Sequence, residues 1–285
     1  MATELNFSVN GLDIAAQAWG EEGGSPVMAI HGWLDNAASF CRLGPLLAEH
    51  GYYVVALDLA GQGKSSCRSA HGSYNIWDDL LDITAVADQL SWAQHSMIGH
   101  SRGAMMSLLY AATLPDKVNR LALVDGFVPL PHAPEKAPEQ LAKYLRDQRN
   151  LLGRPGRSFP SREELLAARC EKNGLSAEDC LPLIERGVVL NNEKLHEWRM
   201  DTRAMGASAF KLSDAHCRAF IDALQAPCDL FIAEQGMALW RDFDALLDYA
   251  QSKVRYHYFD AGHHLHMMEA ESRSITAVLL ERWRD

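Results

Sequence analysis

The stretch Met97-Ile98-Gly99-His100-Ser101-Arg102-Gly103-Ala104, or MIGHSRGA, places a serine between two glycines directly after a short apolar run. A serine hydroxyl is a poor nucleophile unless it is exposed, approached by a base and close to donors that stabilise an oxyanion. A sharp turn from a strand into a helix meets these needs, and glycines two positions before and after the serine relieve the crowding. The stretch therefore predicts a strand, a turn that presents Ser101, and a helix.

Composition limits the class of protein. The chain has 285 residues, of which 48% are hydrophobic and 22% charged, as expected for one globular core with an insertion. The net charge of −10 argues against a nucleic-acid partner, because such binding relies on Lys and Arg that neutralise phosphates. The first residues lack a secretory signal and no apolar run is long enough to span a bilayer, so we expect a cytoplasmic protein without a membrane partner.

Two kinds of pattern follow each other along the first part of the chain. Alternating residues at 3–9 and 12–19 flank Asn10-Gly11, which predicts a β-hairpin. Short apolar runs then alternate with helical patterns, and this predicts a mostly parallel sheet with helices on both faces. The runs are 26–30, 53–57, 96–98 and 121–124, and the helical patterns are 37–50, 76–90 and 104–112.

After Pro129 the rhythm changes to helical patterns without a convincing strand, and strands resume at residue 227. This predicts a helical insertion. Its helices are expected at 139–152, 161–173, 176–186 and 192–200. The six cysteines form no CxxC pair, so neither a zinc site nor a disulfide framework is indicated, and we expect reduced thiols.

Two further turns accompany the serine. His31-Gly32-Trp33 follows an apolar run, and from this position the backbone N–H of Trp33 can join that of Arg102 in an oxyanion hole. The glycine-rich turn 58–65 follows the next run. The stretches HGWLDNAASF, LDLAGQGKSS, GHSRGA and AGHHLHMMEA, in this order, resemble the α/β-hydrolase fold superfamily and, within it, the serine-hydrolase-like proteins.

The resemblance implies an α/β architecture: a mostly parallel eight-stranded sheet with helices on both faces and a helical cap inserted between strands six and seven. It places the core domain at 1–126 and 220–285 and the cap at 127–219. It also implies that the turn with Asp58, Gly61, Gly63 and Ser65 is structural.

The base of such a hydrolase follows the last strand. Three histidines lie there, and the resemblance favours His263, with His264 as the alternative and His266 as a packing residue. The remaining histidines outside the motifs are expected to be solvated surface residues without a functional role. They are His71, His95, His132, His196 and His257.

The acid of the triad has two candidates. Most of the superfamily carries it after the strand that we place at 230–233, where this chain has Glu234. Haloalkane dehalogenases and some relatives carry it one strand earlier, where this chain has Asp125. We favour Asp125, because its short side chain follows a strand and points to the crevice that also holds Ser101.

A cap over the carboxyl edge of the sheet would form the substrate pocket. We expect a mostly apolar pocket for uncharged short and medium acyl esters. For the Arg102 side chain we favour a salt bridge to the cap or to Asp35 over contact with an anionic substrate group. The candidate pocket residues are His31, Gly32, Trp33, Trp77, Phe127, Leu130, Trp198 and Met205.

The resemblance and the motifs together predict a carboxylesterase-like serine hydrolase. Ser101 would form an acyl-enzyme on a small carboxylic ester, with no metal and no organic cofactor. The same triad also serves thioesterases, C–C bond hydrolases and perhydrolases, and small-molecule receptors with little or no turnover share the fold. A protein-interaction module on an inactive scaffold is a further alternative, whereas the oligomeric state is left open by the sequence.

Overall fold

The computed structural model describes residues 2–236 and 240–283, and its main element is an eight-stranded sheet. The strands in chain order are β1 Thr3–Val9, β2 Leu12–Trp19, β3 Ser25–Ile30, β4 Tyr52–Leu57, β5 His95–His100, β6 Val118–Val124, β7 Ser158–Phe159, β8 Val188–Leu190, β9 His196–Trp198, β10 Cys228–Gln235 and β11 Val254–Gly262. The large sheet has the order β1-β2-β4-β3-β5-β6-β10-β11. Its β1–β2 and β2–β4 pairs are antiparallel and its other pairs are parallel.

Helices cover both faces of this sheet, as the alternating sequence pattern predicts. They are α1 Leu43–Ala48, α2 Ile76–Gln89, α3 Arg102–Thr113, α4 Ala137–Leu151, α5 Arg162–Asn173, α6 Ala177–Gly187, α7 Asp214–Ala223, α8 Asp244–Ala250 and α9 Glu269–Arg282. Apolar side chains of α2, α3, α7 and α8 pack on one face, and those of α1 and α9 pack on the other. Parallel strands buried on both sides are the usual consequence of such crossovers.

Local chemistry explains several element boundaries. The hairpin turns at Asn10 and Gly11, which have φ angles of 52° and 76°, and such left-handed residues suit a two-residue turn. Ser161 accepts a hydrogen bond from the Glu164 N–H at 3.2 Å, so it caps the first turn of α5. The bounds of α2 to α6 lie within about two residues of the predicted helical patterns, and the pattern at 37–50 divides into a 3₁₀ turn, Ala37–Phe40, and α1. Two regions of the chain depart from the sequence predictions.

The first exception is the segment between β6 and β10. A helix is predicted at 192–200, but this prediction is wrong, because His196–Trp198 forms strand β9. This strand lies between β7 and β8 in a small antiparallel sheet. Pairing with the adjacent strand β8 and with the more distant β7 outweighs the local helical pattern.

The second exception concerns the end of the inserted segment. The expected boundary at 219/220 falls inside α7, Asp214–Ala223. Cys217 and Ile221 of this helix belong to the same buried cluster as Leu108 of α3. We therefore propose that α7 belongs to the core and that the inserted segment ends before Asp214.

Ion pairs join the inserted segment to the sheet domain. The Arg186 Nε of α6 lies 2.9 Å from Oδ1 of Asp58, and Arg186 Nη1 lies 2.8 Å from Oε1 of Glu4. Arg42 Nη2 of the core lies 2.6 Å from Oδ1 of Asp179. The Arg186 and Asp58 side chains are almost fully buried, so this pair is shielded from solvent screening.

Two side-chain environments bear on the sequence predictions. His95 is not a solvated surface residue as expected: it is fully buried, with Trp92 and Tyr110 as ring neighbours. The cysteines are free thiols, three of them buried.

Among the described helices, none combines the length and the apolar character that crossing a membrane requires.

Candidate active site

Ser101 lies at the turn between β5 and α3. Its backbone adopts φ 52° and ψ −116°, a region that L-residues seldom occupy. The turn is held by the Ser101 N–H, which donates to the Val124 carbonyl at 2.9 Å, and by the Ser101 carbonyl, which accepts from Ala104 N–H at 3.0 Å. This geometry lifts the serine away from the sheet edge, as the sequence predicts.

Three glycines make room for this turn. A Cβ on Gly99 would lie 2.4 Å from the Gly103 carbonyl oxygen, and a Cβ on Gly103 would lie 2.1 Å from the Ile30 carbonyl oxygen. Both glycines were singled out by the sequence pattern. The pattern misses the third, Gly126, where a Cβ would lie 2.3 Å from the Ser101 carbonyl oxygen.

Side chains from three loops at the carboxyl edge of the sheet meet at the serine. His263 Nε2 lies 2.9 Å from Ser101 Oγ, and His263 Nδ1 lies 2.5 Å from Asp125 Oδ2. A carboxylate only accepts hydrogen bonds, so Nδ1 carries the imidazole proton and Nε2 is left with a lone pair toward the serine. A histidine in this tautomer can take a proton from the hydroxyl.

The two alternative residues lie elsewhere. Glu234 is an exposed residue near the end of β10. In that strand the Ala233 N–H donates to Asp125 Oδ1 at 3.0 Å, which fixes the second oxygen of the Asp125 carboxylate. His264 is buried, and its Nε2 lies 3.4 Å from Asp35 Oδ2 rather than beside the serine.

The expected oxyanion donors lie on two neighbouring loops. Within the described ranges, the backbone N–H groups of Trp33 and Arg102 donate to no protein acceptor. The prediction for the Arg102 side chain is wrong: its Nη2 donates to Asp79 Oδ2 of α2 at 2.8 Å, not to Asp35 or the inserted segment. Asp79 is nearly fully buried and accepts from Arg68 as well, so it holds the start of α3 against α2.

A buried polar cluster that the sequence analysis misses lies behind His263. His100 Nε2–H donates to the His263 carbonyl at 3.0 Å, so His100 Nδ1 carries no proton. Burial lowers the pKa of His100 to about 4, although nearby Asp35 opposes the shift. His100 therefore stays neutral at pH 7, and its position between Gly99 and Ser101 was the only available signal.

Asp35 provides the negative charge of this cluster. Burial alone would raise its pKa, but the guanidinium of Arg169, which is paired with it, helps to hold that pKa well below the usual range. His266, predicted to pack, is fully buried and its Nε2 lies 2.6 Å from Ser39 Oγ. Burial also holds the pKa of His266 well below the usual range.

One set of residues has donor atoms spaced for a metal ion. Single donor atoms of Asp35, His100 and His264 lie within 4.8 Å of one another. Arg169 already neutralises Asp35 there, and a second cation would compete with its guanidinium. We therefore assign no metal to this cluster.

The candidate pocket residues separate into groups. Trp198 and Met205 line a cavity beneath α5, together with Leu34. Phe127 is fully buried in the core cluster and Leu130 packs on that cluster, so neither lines this cavity. Trp77 and Trp33 are exposed, whereas His31 and Gly32, in the loop that follows β3, are buried.

The glycine-rich turn after β4 makes structural contacts. Asp58 Oδ2 accepts from the Lys64 N–H at 2.7 Å, and Ser65 Oγ donates to the Asp58 carbonyl at 2.6 Å. His31 Nε2 accepts from the Leu59 N–H at 3.1 Å and thereby joins this turn to the loop that carries Trp33. These bonds support the structural role that the resemblance implies.

A parallel sheet covered by helices, with a serine turn after one strand and a histidine after the last, defines the hydrolase class of α/β proteins. The chain belongs to the α/β-hydrolase fold family, whose model matches residues 25–270. This confirms the fold predicted from the four motifs and indicates a hydrolase that acts on a small molecule.

Known proteins resemble the chain over nearly its whole length. Human serine hydrolase-like protein 2 is 29% identical over 294 aligned positions, which cover 95% of this chain and 91% of that protein. A solved hypothetical protein of Pseudomonas aeruginosa is 38% identical, with a TM-score of 0.92 over 98% of this chain and 99% of that one. A thioesterase domain from the curacin biosynthetic pathway shares the fold, with a TM-score of 0.87 at 24% identity over 99% of each chain.

Proposed function

We propose that the protein is a serine hydrolase that cleaves a small carboxylic ester through an acyl-enzyme. The observation that carries the proposal is the continuous chain of contacts from Asp125 through His263 to Ser101, with distances of 2.5 and 2.9 Å. Nucleophile, base and orienting acid thus stand within hydrogen-bond reach of one another, as acyl transfer requires.

In the first half-reaction Ser101 Oγ attacks the ester carbonyl carbon while His263 Nε2 takes the hydroxyl proton. The carbonyl oxygen becomes an oxyanion, which the free N–H groups of Trp33 and Arg102 stabilise. Asp125 keeps the proton of His263 on Nδ1 and stabilises the imidazolium. The intermediate collapses when His263 returns the proton to the leaving alcohol.

In the second half-reaction a water molecule takes the place of the alcohol. His263 removes a proton from the water, which attacks the acyl carbon, and the same oxyanion donors act again. Ser101 leaves with the proton from His263, which regenerates the free enzyme and releases a carboxylic acid. Every step uses the residues named here.

The test is hydrolysis of a p-nitrophenyl ester series by the native protein and by Ser101→Ala. We expect kcat/KM to fall by roughly 10³-fold or more in this variant, because nucleophile and base act as a unit. Ser274→Ala on the exposed side of α9 is the matched control and should retain native activity.

A fluorophosphonate probe gives a second readout that does not depend on the choice of ester. Mass spectrometry should find the probe on Ser101 in the native protein and nowhere on Ser101→Ala. Equal ester hydrolysis by native and Ser101→Ala proteins, or a probe attached elsewhere, would refute the proposed function.

A further inference from the structure

A cavity of about 440 Å³ lies between α5, the loop that follows α4 and the loop that follows β3. Its lining contains an apolar part, which includes Leu165, Trp198 and Met205. Four cationic residues also line it, whereas no acidic residue does so. The cations are Arg154, Arg157, Arg169 and Lys172.

Only one of these cations has a carboxylate partner among the residues that the structure describes. Arg169 pairs with Asp35, as noted for the buried cluster. Arg157 instead lies over the Phe159 ring, 4.6 Å from its centroid, and Lys172 lies over the Trp33 ring at 5.6 Å. Burial and nearby Arg169 lower the pKa of Lys172, although Asp35 opposes the shift.

Uncompensated positive charge is unexpected in this chain. The protein carries a net charge of −10, yet three cations of this cavity have no paired anion within residues 2–236 and 240–283. Clefts lined by one sign of charge concentrate ligands of the opposite sign. The apolar part of the lining favours a ligand that also has a hydrocarbon segment.

The cavity adjoins the loop that carries the proposed oxyanion donor. Leu34 lines it, and its neighbour Trp33 provides the backbone N–H assigned to the oxyanion. The indole Nε1–H of Trp33 donates to the Ala204 carbonyl at 2.9 Å, beside Met205 of the lining. The cavity therefore contacts the residue that follows the proposed oxyanion donor, and Lys172 of its lining lies over the Trp33 ring.

We propose that this cavity binds the acyl part of the substrate and that this part combines an apolar segment with an anionic oxygen group. Arg157 and Lys172 bind the oxygen group, while Trp198, Leu165 and Met205 contact the hydrocarbon. The link to turnover rests on the proposed ester hydrolysis, but binding of the anion does not. This replaces the uncharged acyl esters expected from the sequence.

The kinetic test compares two esters with acyl chains of the same length, mono-p-nitrophenyl glutarate and p-nitrophenyl pentanoate. We expect the native protein to prefer the glutarate by kcat/KM, and this preference should decrease as ionic strength rises. In Arg157→Gln/Lys172→Gln the ratio of the glutarate kcat/KM to the pentanoate kcat/KM should fall about tenfold, since two exposed ion pairs are lost and each contributes a factor of up to about five.

Lys117→Gln/Lys136→Gln is the control for net charge, because it removes the same two charges at positions that do not line the cavity. The ratio of the glutarate kcat/KM to the pentanoate kcat/KM in this control should equal that of the native protein. A native protein that prefers the pentanoate, or an equal fall of the ratio in both double variants, would overturn the proposal.

A binding test without turnover separates this proposal from the proposed function. Ser101→Ala is titrated with octanoate, octyl sulfate and octanamide, and the fluorescence of the tryptophans is followed. Octanoate or octyl sulfate should bind at least about tenfold more tightly than octanamide, and the two anions tell a carboxylate from a sulfate preference. The added changes Arg157→Gln/Lys172→Gln should abolish the difference.

The outcomes are distinguishable. Anion binding that depends on Arg157 and Lys172, in a protein whose ester hydrolysis does not need Ser101, refutes the hydrolase proposal and supports the anion site. Equal binding of octanoate, octyl sulfate and octanamide overturns the anion site, whatever the ester assays show.

Discussion

Replacing Asp125 with asparagine tests the choice of acid most directly, since it changes the hydrogen bonding of Oδ1 and Oδ2 but hardly any volume. Asp125 Oδ1 accepts from the Ala233 N–H at 3.0 Å, and Oδ2 accepts from His263 Nδ1 at 2.5 Å. In Asp125→Asn the amide oxygen must stay opposite the Ala233 N–H, because two donors cannot face each other. The amide NH₂ then points to His263.

This orientation of the amide in Asp125→Asn reverses the tautomer of His263. An NH₂ group needs an acceptor, so Nδ1 of His263 loses its proton and Nε2 gains one. Nε2–H can then donate to Ser101 but no longer accept its proton. We expect kcat to fall by roughly 10⁴-fold, the size of the effect when a histidine in a serine triad is held in the wrong tautomer.

The packing around residue 125 favours asparagine as the replacement, because asparagine has the shape of aspartate. A Cβ on Gly236 would lie 2.3 Å from Asp125 Oδ2, so the site is tight and only a side chain of the same shape fits it. The assay is kcat for one p-nitrophenyl ester at pH 7.5, with unfolding by urea to show that Asp125→Asn is folded. Glu234→Gln, which removes the other candidate charge, should stay within about twofold of native. Near-native activity in Asp125→Asn combined with a large loss in Glu234→Gln would refute the reasoning.

Three further changes test other parts of the structure. Gly103→Ala would place a Cβ 2.1 Å from the Ile30 carbonyl oxygen, so we expect the free energy of unfolding in urea to fall by about 3 kcal/mol or more, and a native value would contradict this geometry. Arg186→Met leaves buried Asp58 without its guanidinium and should cost about 3 kcal/mol in the same measurement. Burial lowers the pKa of His95 to about 4, so unfolding exposes a group that binds protons more readily, and stability present above pH 6.5 is lost as pH falls toward 4. His95→Phe should weaken this loss of thermal stability, and an unchanged pH profile of Tm would exclude His95 as a source.

The sequence predicted those parts of the fold that depend on short-range patterns. The hairpin strands Thr3–Val9 and Leu12–Trp19 have the predicted bounds, because alternation and the Asn10-Gly11 turn act locally. The prediction failed at 192–200, where the strand His196–Trp198 pairs with Val188–Leu190 and with Ser158–Phe159. Such pairing depends on residues that are close in space and leaves little trace in a local pattern.

The residues of the candidate site also divide into those indicated by local sequence and those that depend on tertiary packing. The prediction of Ser101 rests on glycines that are close to it in sequence, whereas the proposed choice of Asp125 over Glu234 depends on which loop reaches His263, and that is a property of the assembled sheet. The partner of Arg102 was missed for this reason too, since Asp79 lies in another helix, 23 residues earlier in the chain. Whether a charged residue is buried and paired is decided by tertiary packing.

The ion pairs between the inserted segment and the sheet domain have a consequence for recombination among homologues. Arg169 meets Asp35 and Arg186 meets Asp58, so each bridge has one member in either part. A chimera that takes the inserted segment from a relative without these arginines would leave two buried carboxylates unmatched in the recipient. We therefore expect an inserted segment without these arginines to fit this core only when positions 35 and 58 change with it.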